Sequence, residues 1–293
     1  MIKRALKQTF TLLNVDYVKL DSKWNYKNVI SPYFRIYYID AGRGEIWDAS
    51  AKTILEPGFL YIIPSFTLCN LVCPDYLSQY FVQFFEESSD GISLFEHNRS
   101  IAKIKATEID ILNFKRLLKI NPGRGINRSD NPRAYEKNTF YKECQELNNR
   151  QSMSTFTETH GILLQFVSRF LTQETFKYMD TRQVPVKILN IISYIQLNLH
   201  HDLSVTHLAQ KANLHTDYFS RLFHQHTGER PVKYLNEKRI ERAQYLMVTT
   251  RMTFTEIAIQ TGFENVFYFS KIFKKITGMS PGSYKKRMDT VGF

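Results

Sequence analysis

Two groups of side chains in the last third of this chain have the types and the spacing to pair with base edges and phosphates. Thr216, Asp217, Ser220, Arg221 and His224 recur at intervals that a helix would line up along one face. About fifty positions on, Asn265, Val266, Phe267, Ser270, Lys271, Lys274 and Lys275 hold the matching places. A guanidinium such as that of Arg221 can donate two hydrogen bonds to guanine, and Asp217 can accept from cytosine or orient Arg221. Hydroxyls and lysines serve phosphates, which fix position without reading sequence. The plainer account of either group is a solvated helix face.

Other candidate chemistry is thinner. In the run Tyr33–Ile39, Arg35 and Tyr37 share one face of an extended chain, and Trp47 and Tyr61 are further aromatics nearby in sequence. Such rings can stack on a sugar, or they can simply fill a core. An arginine among Tyr and Ile requires a carboxylate, phosphate or water as its complement. A catalytic metal needs clustered His with a carboxylate. The eight histidines are His97, His160, His200, His201, His207, His215, His224 and His226, and none falls in the strand-like stretch from Tyr33 to Phe85. His200 and His201 are adjacent, point apart on a helix and suit its C-terminus as cations. No nucleophile–base pair stands out, so no cofactor, metal or catalytic residue is expected. Cys69 and Cys73 lie too far apart along an extended run to bridge, and buried reduced thiols are the expectation for all three cysteines.

The elements that must position the first set are legible because they occur twice. Val205, Leu208, Ala209, Asn213 and Leu214 return 49 positions later as Phe254, Ile257, Ala258, Gly262 and Phe263. Phe219, Ser220, Arg221, Phe223, Thr227, Gly228, Pro231 and Tyr234 return 50 later as Phe269, Ser270, Lys271, Phe273, Thr277, Gly278, Pro281 and Tyr284. The copies differ by one residue inserted near Glu264–Tyr268. Each half has room for a helix-turn-helix and a connecting helix. Asn213 and Gly262 occupy equivalent turns that favour positive φ. The spacing predicts second helices at about 216–227 and 265–277, each stopped by Thr-Gly with Pro three residues after the Gly.

Two such units are joined by a helix holding Lys238-Arg239-Ile240, Ala243 and Leu246, and closed by the run from Tyr268 to Pro281 with Tyr284 beyond. Together they resemble an AraC/XylS-type transcriptional regulator, tightly over about 184–288 and loosely before that. The resemblance implies two DNA-reading subdomains on one polypeptide, entering consecutive major-groove segments of double-stranded DNA. It further implies a sensor domain, a homodimer, contact with RNA polymerase and an activating role. The family usually has polar side chains where Val266 and Phe267 stand, and more often Lys where His224 stands. Val266 and Phe267 could then meet thymine methyls, or the second copy could hold DNA mainly through Lys271, Lys274 and Lys275 on phosphates.

Before the duplication, residues 1 to about 105 read as β, with runs at Phe10–Lys19, Tyr33–Ile39, Gly44–Trp47, Phe59–Ile63, Phe66–Cys73 and Tyr76–Phe85 between turn signals. Gly42-Arg43-Gly44 and Glu56-Pro57-Gly58 are similar to the cupin-like sensor barrel of the same family. Helical patterns follow at about 107–119, 132–148 and 155–178; they suit either dimerisation or packing on the barrel. Residues 180–185 read as a linker. The fold class is therefore α+β: an N-terminal cupin-like β-barrel with a helical extension, then an all-α tandem helix-turn-helix domain. The expected boundaries are a sensor and dimerisation domain at 1–179, with the barrel about 1–105 and helices about 106–179, and a DNA-binding domain at 186–288.

Charge agrees with that division. The 293 residues carry a net +11; from residue 186 onward there are 15 Lys and Arg against 8 Asp and Glu. That is the electrostatic footprint phosphates require. No apolar run reaches the length of a membrane helix, and Lys7, Gln8 and Asn14 break any signal-peptide core, so a cytoplasmic protein without a membrane partner is expected. The reading is a sequence-specific DNA-binding regulator responsive to a small molecule, a sugar or other metabolite. The alternatives are a ligand-independent regulator whose barrel only dimerises, and a cupin-type enzyme.

Overall fold

A computed structural model describes residues 8–48, 51–88, 93–95, 99–125, 144, 146–171 and 185–289. The chain divides into two compact units, one dominated by residues before 178 and the other by 178–289. Most of the helix expected at 132–148, the end of that expected at 155–178, and all of the expected 180–185 linker except Pro185 lie outside the described residues.

The described residues of the first unit form nine strands: β1 (Gln8–Asp21), β2 (Asn25–Val29), β3 (Phe34–Gly42), β4 (Gly44–Trp47), β5 (Lys52–Leu55), β6 (Phe59–Ile63), β7 (Cys69–Val72), β8 (Tyr76–Ser88) and β9 (Ala102–Lys105). They form a five-stranded sheet in the order β1-β8-β3-β6-β9 and a four-stranded sheet in the order β2-β7-β4-β5. Among the described strands these pairings do not join the sheets into one closed ring. The barrel takes the form of two facing sheets. Tyr37, Ile39, Tyr61, Ile63 and Phe81 from the larger sheet meet Tyr26, Ile46, Leu55, Cys69 and Leu71 from the smaller one in a single buried cluster.

The larger sheet is buried on its other face too. Two helices, α1 (Glu108–Ile120) and α2 (Met153–Phe170), cover it. The Phe114 ring lies 6.5 Å from Tyr38 and 5.7 Å from Tyr80, and the Phe166 ring lies 4.5 Å from Phe114, tilted by 45°. This double burial explains why β3 reads as Phe-Arg-Ile-Tyr-Tyr-Ile without polar alternation: every side chain has a dry face to enter. A capping box between Thr107 and Asp110 starts α1. The two helices are then pinned by Arg116–Glu158, Asn113–Gln165 and Arg169–Asp110 pairs along their seam.

Three strands absent from the sequence reading, β2, β5 and β9, all lie at sheet edges. They are short and carry Lys27, Lys52, Lys103 and Lys105, the composition that keeps an edge from pairing with another chain but also hides its alternation. The strand expected at 66–73 begins only at Cys69, because Phe66 adopts a positive φ of 60° and turns the chain while its amide bonds to the Ser31 carbonyl. Cys69, Cys73 and Cys144 are all buried.

Residues 185–289 of the second unit form helices only: α3 (Val186–Leu197), α4 (Val205–Lys211), α5 (Thr216–Thr227), α6 (Pro231–Thr249), α7 (Phe254–Gln260), α8 (Val266–Thr277) and α9 (Pro281–Asp289). No helix among the described residues is long and apolar enough to cross a membrane. The copies superimpose in sequence register, helix for helix: α4 and α7 have seven residues each, α5 and α8 twelve each. The extra residue lies in the turn, four residues in the first copy and five in the second.

Those turns differ in tolerance. Asn213 has φ 53° and its side chain is exposed, so the left-handed strain is all it costs. Gly262 has φ 78°, and a Cβ there would lie 2.1 Å from the Leu199 carbonyl oxygen. Exchanging the two turn residues is therefore asymmetric. Asn213→Gly should change unfolding free energy by less than about 1 kcal/mol. Gly262→Asn should lose about 2–3 kcal/mol, as overpacking against backbone does. Urea titration followed by circular dichroism measures both.

Candidate nucleic-acid interface

Each helix-turn-helix is assembled around the same three rings. In the first, Phe219 and Phe223 on α5 lie 5.6 Å apart, and Phe223 meets Tyr234 of α6 edge-on at 5.4 Å. In the second, Phe269 and Phe273 on α8 repeat the 5.6 Å spacing, and Phe273 meets Tyr284 of α9 at 5.3 Å. These rings clamp one face of each second helix. What remains on the opposite face is the stripe at 217, 220, 221 and 224, and its copy at 267, 270, 271 and 274.

Both helices stop by one device. Gly228 and Gly278 sit in the left-handed region, and their amides donate to the carbonyls of His224 and Lys274. Thr227 Oγ1 donates to the Phe223 carbonyl and Thr277 Oγ1 to the Phe273 carbonyl. Pro231 and Pro281 then open the next helix at its first position, where a missing amide hydrogen costs nothing.

The N-termini, where bases would be met, are set differently. Asn265 caps α8, its side-chain oxygen accepting from the Tyr268 amide at 2.8 Å, whereas α5 has no side-chain cap at His215. Thr253 and Glu256 form a capping box at α7, and the Thr253 amide holds the Glu256 carboxyl below its ordinary range.

A single arginine ties the halves together. Arg239, mid-way along α6, is largely buried; its Nε donates to the Leu199 carbonyl at 3.1 Å and its Nη2 to the His201 carbonyl at 2.7 Å. Its guanidinium also lies 5.6 Å from the Phe263 ring, in the second turn. Burial depresses its pKa, and two carbonyl acceptors with an aromatic face are its compensation. Thus the end of α3 in the first copy and the turn of the second are fastened to one side chain. The sequence reading placed Arg239 in the linker helix but missed this role; an arginine at mid-helix between Lys238 and Ile240 carries no local sign of burial.

Every expected DNA-facing residue lies on one of the two second helices or at its start. Asp217, Arg221, His224, Asn265, Phe267, Lys271, Lys274 and Lys275 are exposed, and Thr216, Ser220, Val266 and Ser270 half-buried beside them. Asn265 spends its oxygen on the cap. Two residues outside the expected set belong to the same surface: Tyr218 and Tyr268, 50% and 43% exposed. Each precedes a buried Phe by one residue, so its helical position, about 100° off the core, is the signal that finds it. Tyr268 is held by Phe263 at 6.0 Å.

In the first unit, Arg35, Tyr37 and Tyr61 come together on one layer. Tyr37 and Tyr61 are cross-strand partners, Arg35 is paired with Gln83 across β8, and all are nearly fully buried. Arg35 Nη2 donates to Cys69 Sγ at 3.4 Å. The Tyr61 hydroxyl donates to the Ile54 carbonyl and accepts from the Glu56 amide, and burial raises its pKa. Trp47 does not join them. Its neighbour Ile46 enters the inter-sheet core, so Trp47 faces outward, with the Lys52 ammonium 5.3 Å from its ring.

Residues 208–287 match the helix-turn-helix domain family. YobQ of Bacillus subtilis (strain 168), named an HTH-type transcriptional regulator, is 24% identical over 195 residues, 66% of this chain and 73% of that protein. An HTH-type transcriptional regulator of Haemophilus influenzae is 26% identical over 168 residues, 55% of this chain and 54% of that one. The chain thus spans only about half the length of the second relative. Among solved structures, ToxT from Vibrio cholerae has a TM-score of 0.54 at 15% identity, covering 95% of this chain and 98% of that one. That likeness is one of fold: a β-rich N-terminal part followed by a helical C-terminal part.

Arg239→Met keeps the length and apolar stem of the side chain and removes its donors. Losing two charge-assisted hydrogen bonds to buried carbonyls should cost about 3 kcal/mol or more of stability. Helix content by circular dichroism should hold at low temperature, while the thermal transition broadens as the two copies uncouple.

Proposed function

We propose that the chain is an AraC/XylS-type transcriptional regulator, a homodimer whose DNA binding answers to a small molecule and activates transcription through RNA polymerase; the helix-turn-helix match over residues 208–287 and the likeness to proteins named HTH-type transcriptional regulators support the regulator reading. The observation that carries the DNA-binding half of this reading is the pair of equivalent helix faces held in one bundle. Arg221 and Asp217 would read bases from α5, and Lys271, Lys274 and Lys275 would meet phosphates along α8.

The dimer reading draws on apolar side chains left uncovered on the two helices of the first unit: Ile109 and Leu112 on α1 are 63% and 55% exposed, and Leu164 on α2 39%. The effector reading draws on the layer between the sheets where Arg35, Tyr37 and Tyr61 bring a cation and two phenol rings together, side chains that also suit an anionic or hydroxyl-rich molecule. A wild-type ToxT was crystallised with an unsaturated fatty acid bound, so fatty acids join sugars in the panel worth testing. Relatives named as regulators give a cupin-type enzyme no positive support.

Fluorescence anisotropy of the full chain on duplex DNA across a salt series tests the central reading. Log affinity should fall linearly with log salt, by about 0.9 for each phosphate neutralised. Lys274→Ala should flatten that slope by about one phosphate on any sequence, whereas Arg221→Ala should cost ~1–3 kcal/mol only on the preferred site. Salt-insensitive or absent binding would overturn the DNA assignment. In the same assay, affinity or melting temperature that shifts with a sugar or fatty acid, and no longer shifts in Arg35→Met, supports the effector; a flat response to the panel favours the ligand-independent alternative.

A further inference from the structure

The second helices of the two helix-turn-helix units present different chemistry at their leading ends. Asp217 and Phe267 are both the second residue of their helices, α5 and α8. Asp217 is an exposed carboxylate beside the exposed Arg221, one turn on. Phe267 is the most exposed large apolar side chain among the described residues, at 82%. Among the described residues nothing covers it. The Asn265 cap fixes the first turn of α8, and Phe269 and Phe273 commit the opposite face to the core, so Phe267 is turned outward by helical geometry.

Its surroundings select the partner. Lys271 and Lys274 fall on the same stripe, four and seven residues further, and α8 has no acidic residue in its first turn, whereas α5 has Asp217. An apolar ring within a cationic stripe on the leading end of such a helix suits a polyanion that offers an apolar group. In the major groove that group is the thymine C5-methyl, the only methyl the four standard base pairs present there. Asp217 and Arg221 instead match an amine donor and paired acceptors, which a C·G step supplies.

Resting on the DNA-binding reading above, we propose that the two units read opposite base composition: Asp217 and Arg221 select a C·G-containing step, and Phe267 selects thymine through its methyl group. The operator is therefore asymmetric within each protomer's footprint, with G·C under α5 and thymine under α8.

The test begins with selection of the full chain on a randomised double-stranded DNA library. Enrichment of thymine at a fixed distance from a C·G step is expected. Replacing the enriched thymine by deoxyuracil removes only the methyl and should weaken wild-type binding about fourfold, the equivalent of ~0.8 kcal/mol for one buried methyl. In Phe267→Ala the same replacement should have no effect, and the thymine preference should disappear from a repeated selection while the C·G preference persists. The double variant Asp217→Ala, Arg221→Ala should do the reverse, losing the C·G preference and keeping the thymine preference. Uracil tolerated by the wild type, or a thymine preference retained in Phe267→Ala, overturns the inference and leaves the exposed ring to a protein contact. A selection that enriches no sequence at all would instead count against the DNA-binding reading itself. Matching thermal melts of wild type and Phe267→Ala guard against misfolding.

Discussion

Two backbone carbonyls at the end of one helix, Leu199 and His201, would be left without partners if the chain simply turned away from them. Arg239 reaches both from the middle of α6, and its guanidinium lies against the ring of Phe263 in the second turn. Gly262 must then pass so close to Leu199 that no Cβ fits. A charged group buried this way is costly to leave unpaired, so the contact cannot be partly made. The result is that two helix-turn-helix units, each able to close its own aromatic core, behave as one body with a fixed offset. A double reader of a periodic duplex needs that property, because base contacts tolerate little error in helix placement.

The duplication shows how much of a domain is generic and how much is particular. Three rings, a Thr-Gly stop and an N-terminal proline are repeated almost without change, because they solve the problem of holding a short helix against a bundle. The solvent faces have diverged instead. Where the first copy has Asp217 and Arg221, the second has Phe267 and Lys271. Side chains that touch nothing inside the protein are free to change with the surface they meet.

In the first unit the same separation holds with different materials. Burial on both faces makes β3 almost continuously apolar, and the buried polar groups of β3 and β8, Arg35, Ser78, Gln79 and Gln83, are set within that dry layer. The two covering helices are fixed by ion pairs and amides along their seam, and their outermost apolar residues, Ile109, Leu112 and Leu164, stay exposed.

What the residues determined unaided was whatever depends on local pattern. The paired motifs, the boundaries of α5 and α8 to within a residue, the positive φ of Asn213 and Gly262 and the outward stripe all follow from helical periodicity and from the few residues that tolerate a left-handed backbone. Strands in the middle of sheets were legible for the same reason, since Val, Ile, Tyr and Phe gather where both faces are dry. The edge strands β2, β5 and β9 were not, because lysines that protect an edge erase the alternation that announces it. Tertiary structure alone decided that Trp47 faces away from Arg35, that Tyr61 spends its hydroxyl on backbone, and that Arg239 fastens two copies of a motif. Each depends on groups distant in sequence meeting in space, and no spacing along the chain records such a meeting.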